Sequence, residues 1–131
     1  MALARETDAT LVQPMNGALT RYFEAGSAIE AGMPVATASD GAIDPADSSD
    51  TSLSFTQGIA LGPTDWVAGD GVAVVWAGPV RCMTGATPGA LVYVSDTAGS
   101  LSHTAGTKST IIGVAESATV LMVRPQYVSL S

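Results

Sequence analysis

Hydrophobic positions along this chain fall in short runs separated by Gly, Pro, Asp and Ser, with no sustained helical period. Leu19–Phe23 is bounded by Gly17 and Gly26 and favours a strand, because Thr, Tyr and Phe fit a pleated surface. Met33–Thr37 predicts a second strand, with Pro34 confined to its start or to an edge because it lacks a ladder donor. Leu53, Phe55, Ile59 and Leu61 predict a strand pair or one bulged strand. The clearest strands are Val72–Trp76, Leu91–Val94 and Thr119–Val123. Gly78-Pro79 is expected to turn the chain before a further strand over Val80–Met83. Leu101–His103 is expected to return against Leu91–Val94. Ile111–Val114 reads as a strand with Gly113 at a bulge or a close backbone approach. Asp40–Ser52 is rich in Asp, Ser, Gly and Pro and reads as a solvated loop. Many short strands without helix caps predict an all-β fold, a small barrel or sandwich.

An internal echo organises these strands. Ile29–Ala60 and Ala86–Ala115 both open on a Gly turn and an apolar strand (Gly32-Met-Pro-Val35, Gly89-Ala-Leu-Val92). Both pass through an Asp/Gly break (Asp40-Gly41, Asp96-Thr-Ala-Gly99) and close on Gly58-Ile-Ala60 or Gly113-Val-Ala115. Two similar β-units in one small chain point to a built scaffold. Residues 1–17 carry little strand signal beyond Thr10-Leu-Val12, and Pro14 interrupts any helix. They read as an extended N-terminal arm or a frayed end, leaving one β domain over 18–131.

Composition narrows the function classes. Of 131 residues, 47% are hydrophobic and only 13% charged, so Ala, Ser, Thr and Gly must cover much of the surface. Such an exterior invites protein contact, while the net charge of -7 limits indiscriminate association. The five basic residues, Arg5, Arg21, Arg81, Lys108 and Arg124, are scattered, which argues against direct nucleic-acid binding. No apolar run is long enough for a membrane helix and no secretory leader pattern opens the chain, so a soluble protein made in the cytoplasm is expected.

Candidate chemistry is sparse. Cys82 is the only cysteine and His103 the only histidine, too few for a structural zinc site, and nothing in the sequence brings them together as a dyad. Asp44, Asp47 and Asp50 do not follow the EF-hand ligand pattern. Glu24, Glu30 and Glu116 are the candidates outside the acidic loop for a catalytic carboxylate pair, and none sits in a distinctive context. No cofactor, metal or catalytic residue is expected. Trp66 and Trp76 suit core or interface packing better than stacking on a sugar.

Four stretches in order carry a resemblance: Gly32–Gly41 (GMPVATASDG), Val67–Val80 (VAGDGVAVVWAGPV), Pro88–Gly99 (PGALVYVSDTAG) and Ile112–Pro125 (IGVAESATVLMVRP). Together they resemble tailed-bacteriophage capsid decoration, or cement, proteins with a β-barrel or β-tulip domain. The resemblance implies a non-enzymatic virion protein on the outer capsid surface, a homotrimer at three-fold and quasi-three-fold positions. Its partner would be the major capsid protein of the expanded head. It further implies that an N-terminal arm reaches the capsid or a neighbour; here that role falls to Ala2–Gln13, with Thr10, Leu11 and Val12 as anchors. Trp66, Trp76 and Tyr93 are then candidates for core or intersubunit packing. Competing readings are a head-fibre base or tail component, a carbohydrate-binding module using Trp66 or Trp76, and a small hydrolase with a carboxylate pair.

Overall fold

A computed structural model describes residues 3–50, 53 and 56–124. Its centre is one long strand, β7 (Gly71–Arg81), in a strongly curled antiparallel sheet. The strands before it are β1 (Ala4–Arg5), β2 (Gln13–Pro14), β3 (Leu19–Glu24), β4 (Pro34–Thr37), β5 (Ile43–Pro45) and β6 (Gly58–Ala60). After it come β8 (Met83–Thr84), β9 (Leu91–Val94), β10 (Leu101–Ser102), β11 (Ile111–Ala115) and β12 (Val120–Val123). The main order is β10-β9-β11-β12-β7-β6-β4-β5, and β2 and β3 lie along the other edge of β7.

The sequence echo is a topological repeat. In the first unit β4 is central, with β5 outside and β6 towards β7. In the second, β9 is central, with β10 outside and β11 towards β12 and β7. The echoed glycines serve one purpose in both. A Cβ on Gly58 would fall on the Val75 carbonyl oxygen, and one on Gly113 would fall on that of Met122. Each unit thus closes on a strand that lies flush against its neighbour's backbone, which only glycine allows. At Gly113 the β9–β11 register also shifts, as the bulge reading anticipated.

Strand β7 is apolar on consecutive positions because both its faces are covered. Val72 and Val74 point into a core formed with Ala25, Ile29, Val35, Ile43 and Ala60. Val75 points into the larger core with Val12, Ile59, Met83, Ile112 and Leu121, against which Ala73 also packs. Strands β3, β7, β6, β4 and β5 curl around the first core, and a parallel bridge from Ala25 to Ile43 ties the ends of that curl together. Trp76 is an extra residue between the partners of Thr20 and Leu19. This bulge changes the parity of β7, so that Val80 faces the same core as Val75.

The expected turn at Gly78-Pro79 is therefore not a turn. Gly78 has φ +105°, which bends β7 without ending it, and Pro79 stays in register with Met122. The acidic stretch also differs from a plain loop. It contains β5, and Ala46 and Ser48 are buried. Ser48 donates its N–H to the Ser95 carbonyl (2.9 Å) and accepts at Oγ from the Lys108 N–H (2.9 Å). This segment fastens the first unit to the second. Pro34 starts β4, as expected, although β4 is an inner strand. Phe55 lies outside the described residues.

If close backbone contact is what selects glycine at the echo, Gly113→Ala lowers stability by about 1–3 kcal/mol, the range for forced overpacking. Gly71→Ala, with no atom within 4 Å of the new Cβ and no positive φ, changes it by less than about 0.5 kcal/mol. Urea denaturation of both variants checks this; equal effects would contradict the packing account.

Candidate functional site

The N-terminal residues expected as an arm lie against the chain's own body. β1 pairs with β8, and β2 pairs with the end of β7. Asp8 caps a 3₁₀ turn over Ala9–Leu11, accepting from the Thr10 N–H (3.1 Å) and hydroxyl (2.7 Å). Thr10 is exposed and Leu11 half-buried. Val12 is buried in the larger core, and its carbonyl accepts from the Gly62 N–H. In this placement Val12 is a core residue and presents nothing to a neighbour.

The three aromatic candidates are not brought together into one feature. Trp66 packs on the core around Ile29, forms a bridge with it, and donates its indole N–H to the Leu61 carbonyl (2.9 Å). Tyr93 is half-buried in β9 between Ser102 and Ile111. Trp76 is 40% exposed at the β7 bulge, beside Leu19 and Thr20.

Several ionisable residues hold backbone. Asp40 accepts from the Ala42 N–H, Asp47 from Ser49, Asp65 from the Ala31 N–H and Asp70 from the Val67 N–H. Asp96 accepts from both the N–H and hydroxyl of Thr107. Short aspartate side chains suit these turns because they mimic a backbone acceptor. His103 accepts at Nε2 from the Thr87 N–H (3.0 Å), so its Nδ1–H donates to the Leu91 carbonyl (2.8 Å). That arrangement occupies both ring nitrogens in joining a turn to the start of β9. Cys82 is fully buried, and desolvation pushes its thiol well above the ordinary value. Among the described residues no three His, Cys, Asp or Glu side chains could hold a metal ion together.

The feature that stands out is β3. Its strand partner is β7, and five of its six residues are exposed. Because the Ala73 carbonyl accepts from the Leu61 N–H on the far edge of β7, Val72 and Val74 direct their polar groups at β3. Their partners Phe23 and Arg21 therefore point inward to the ladder, and Thr20 and Tyr22 direct N–H and C=O outward. Arg21 sits over the Phe23 ring, 5.1 Å from its centroid. Tyr22 is 76% exposed and Leu19 is 51% exposed. The result, among the described residues, is an unpaired edge with an amphipathic tyrosine at its centre and Leu19 and Trp76 at one end. Such an edge is a template for another strand. The sequence signal for it is the composition LTRYFE, which puts polar residues on both parities and so leaves no fully buried face.

No protein-family model matches the chain, and no curated protein matches it in sequence.

The buried thiol gives a measurable pH dependence. Cys82 keeps its proton in the folded state above its ordinary pKa of 9.0, while the unfolded chain releases it. Its contribution is complete below that value and is lost as pH rises, at about 1.4 kcal/mol per pH unit. Denaturation curves between pH 8 and 10.5 should therefore fall more steeply for the wild type than for Cys82→Ala. Parallel curves would show that the thiol ionises in place.

Proposed function

We infer that this chain is a structural virion protein that binds the outer surface of a mature icosahedral capsid. It acts as trimers at three-fold and quasi-three-fold positions and stabilises the major capsid protein lattice. The observation that carries this reading is the open β3 edge, which offers strand addition to an extended segment of a neighbouring protein. The resemblance in four ordered stretches supplies the identity of that neighbour. A β body in which Asp65, Asp70 and Asp96 are committed to backbone N–H groups, with an apolar-flanked edge left open among the described residues, suits adhesion. Trimerisation multiplies the effect, since the second and third contacts form at high effective concentration.

The Tyr22 N–H points away from β7, so Tyr22→Pro removes an outward donor without breaking the internal ladder. Sedimentation equilibrium should give a trimer that pellets at saturation with expanded heads and less with unexpanded proheads. Tyr22→Pro should melt close to the wild type yet pellet at least about tenfold more weakly, the loss of one or more strand hydrogen bonds. A chain that ignores both kinds of head overturns the capsid reading. Unchanged pelleting by Tyr22→Pro overturns the role of the edge.

A further inference from the structure

One outer face of the sheet carries an apolar row across four strands. Register takes it from Leu91 in β9 through Val114 in β11 and Met122 in β12 to Pro79 in β7. Met15, whose N–H donates to the Pro79 carbonyl (2.9 Å), extends the row beyond β7. Directly opposed residues of an antiparallel pair share a face, so these side chains lie side by side. Both ends are open: Leu91 is 43% exposed and Met15 41% exposed. Towards the Leu91 end the face is hollowed into a groove of about 400 Å³, walled by Leu91, Ile111, Val114 and Met122.

The next level along the same strands is charged. Arg81 pairs with Gln13 on one side and Val120 on the other, and the Glu116 N–H donates to the Val120 carbonyl (2.9 Å). Arg81 and Glu116 thus sit two strand spacings apart, about 10 Å, on either side of Val120. Neither forms an ion pair among the described residues. Glu116 is exposed, whereas Arg81 is half-buried and its Nε is buried without a hydrogen bond. A guanidinium drawn out of water without an acceptor is costly, so the site suits a carboxylate brought from outside the subunit.

The pattern is complementary to itself about Met122. Apolar Leu91 and apolar Met15 end the row on opposite sides, and Glu116 and Arg81 stand on those same two sides one level away. A rotation axis parallel to the strands keeps each level aligned between copies. It brings the Leu91 end of one copy to the Met15 end of the next, and Glu116 to the partner's Arg81. We propose that this face joins a second copy of the chain, with Leu91 and Glu116 of one copy set against the partner's Met15 and Arg81. The order of the axis rests on the trimer inferred above; the pairing comes from the pattern on the face. Around a three-fold axis the contact is heterologous and closes into a ring. The row crosses β7 at Pro79, beyond the Ala77 that pairs with the start of β3, so Thr20 and Tyr22 stay open.

Sedimentation equilibrium of the full chain without heads tests this. The wild type should be a trimer. Glu116→Arg, at an exposed position, should melt like the wild type and weaken the trimer at least about tenfold, as loss of a paired interface charge does. Leu91→Ser should weaken it as well, through the apolar end. The double variant Arg81→Glu, Glu116→Arg restores the pair in reverse and should recover most of the affinity. A monomeric or dimeric wild type overturns both the trimer and this contact. A trimer indifferent to Glu116→Arg and Leu91→Ser, or a folded double variant no tighter than Glu116→Arg alone, overturns the contact and leaves the trimer standing. No head is present, so failure to bind a capsid does not change the result.

Discussion

The structure depends on the hydrogen bonding of β7 along both edges. One edge holds β2 and β3, and the other holds β6 and β12. The first half of the strand is buried on both faces, so its valines serve two cores at once. The bulge at Trp76 lets a single strand do this and still direct Val80 into the larger core. Apart from β7, the two similar units meet where Ser48 bonds Ser95 and Lys108, where the Gly99 N–H donates to the Ala46 carbonyl, and in a small buried cluster of Ala36, Ala46 and Val94. With β7 they form one body, and each unit's innermost strand must approach a neighbour so closely that Gly58 and Gly113 cannot carry a side chain.

Much of this was legible in the residues. Runs of β-branched and aromatic residues located β3, β7, β9, β11 and β12, and the repeated Gly-Ile/Val-Ala step marked equivalent strands. Where the reading missed, tertiary contacts had overridden local signals. Gly78-Pro79 is a turn dipeptide by composition, yet pairing with β12 keeps it inside a strand. Ile43-Asp-Pro45 is too short and too polar to announce itself, and becomes β5 because Ile43 fills a core and Val35 pairs with Pro45. Val12 looked like an anchor for a neighbour because nothing local shows that the larger core has room for it. The open edge was half legible: LTRYFE announced a strand, but only the sheet order shows that nothing among the described residues pairs on its far side.

The acidic character of the chain has a structural meaning beyond solubility. Asp8, Asp40, Asp47 and Asp70 accept from backbone N–H groups two or three residues away, and Asp65 and Asp96 from the more distant N–H groups of Ala31 and Thr107. Charged side chains thereby replace secondary-structure partners in a fold made of very short strands. This use leaves the broad strand faces to small and apolar residues. That division explains how a protein with few charges can be both well folded and suited to contact, with Arg21 and Phe23 stiffening the strand that is offered.

The most direct test of the account is hydrogen exchange of the protein free and bound to expanded heads, read at β3. Thr20 and Tyr22 point outward, so their amides should exchange quickly in the free protein and at least about tenfold more slowly when bound, as a new strand pairs with them. Rapid exchange of both amides in a saturated complex would contradict the claim that this edge is the binding surface.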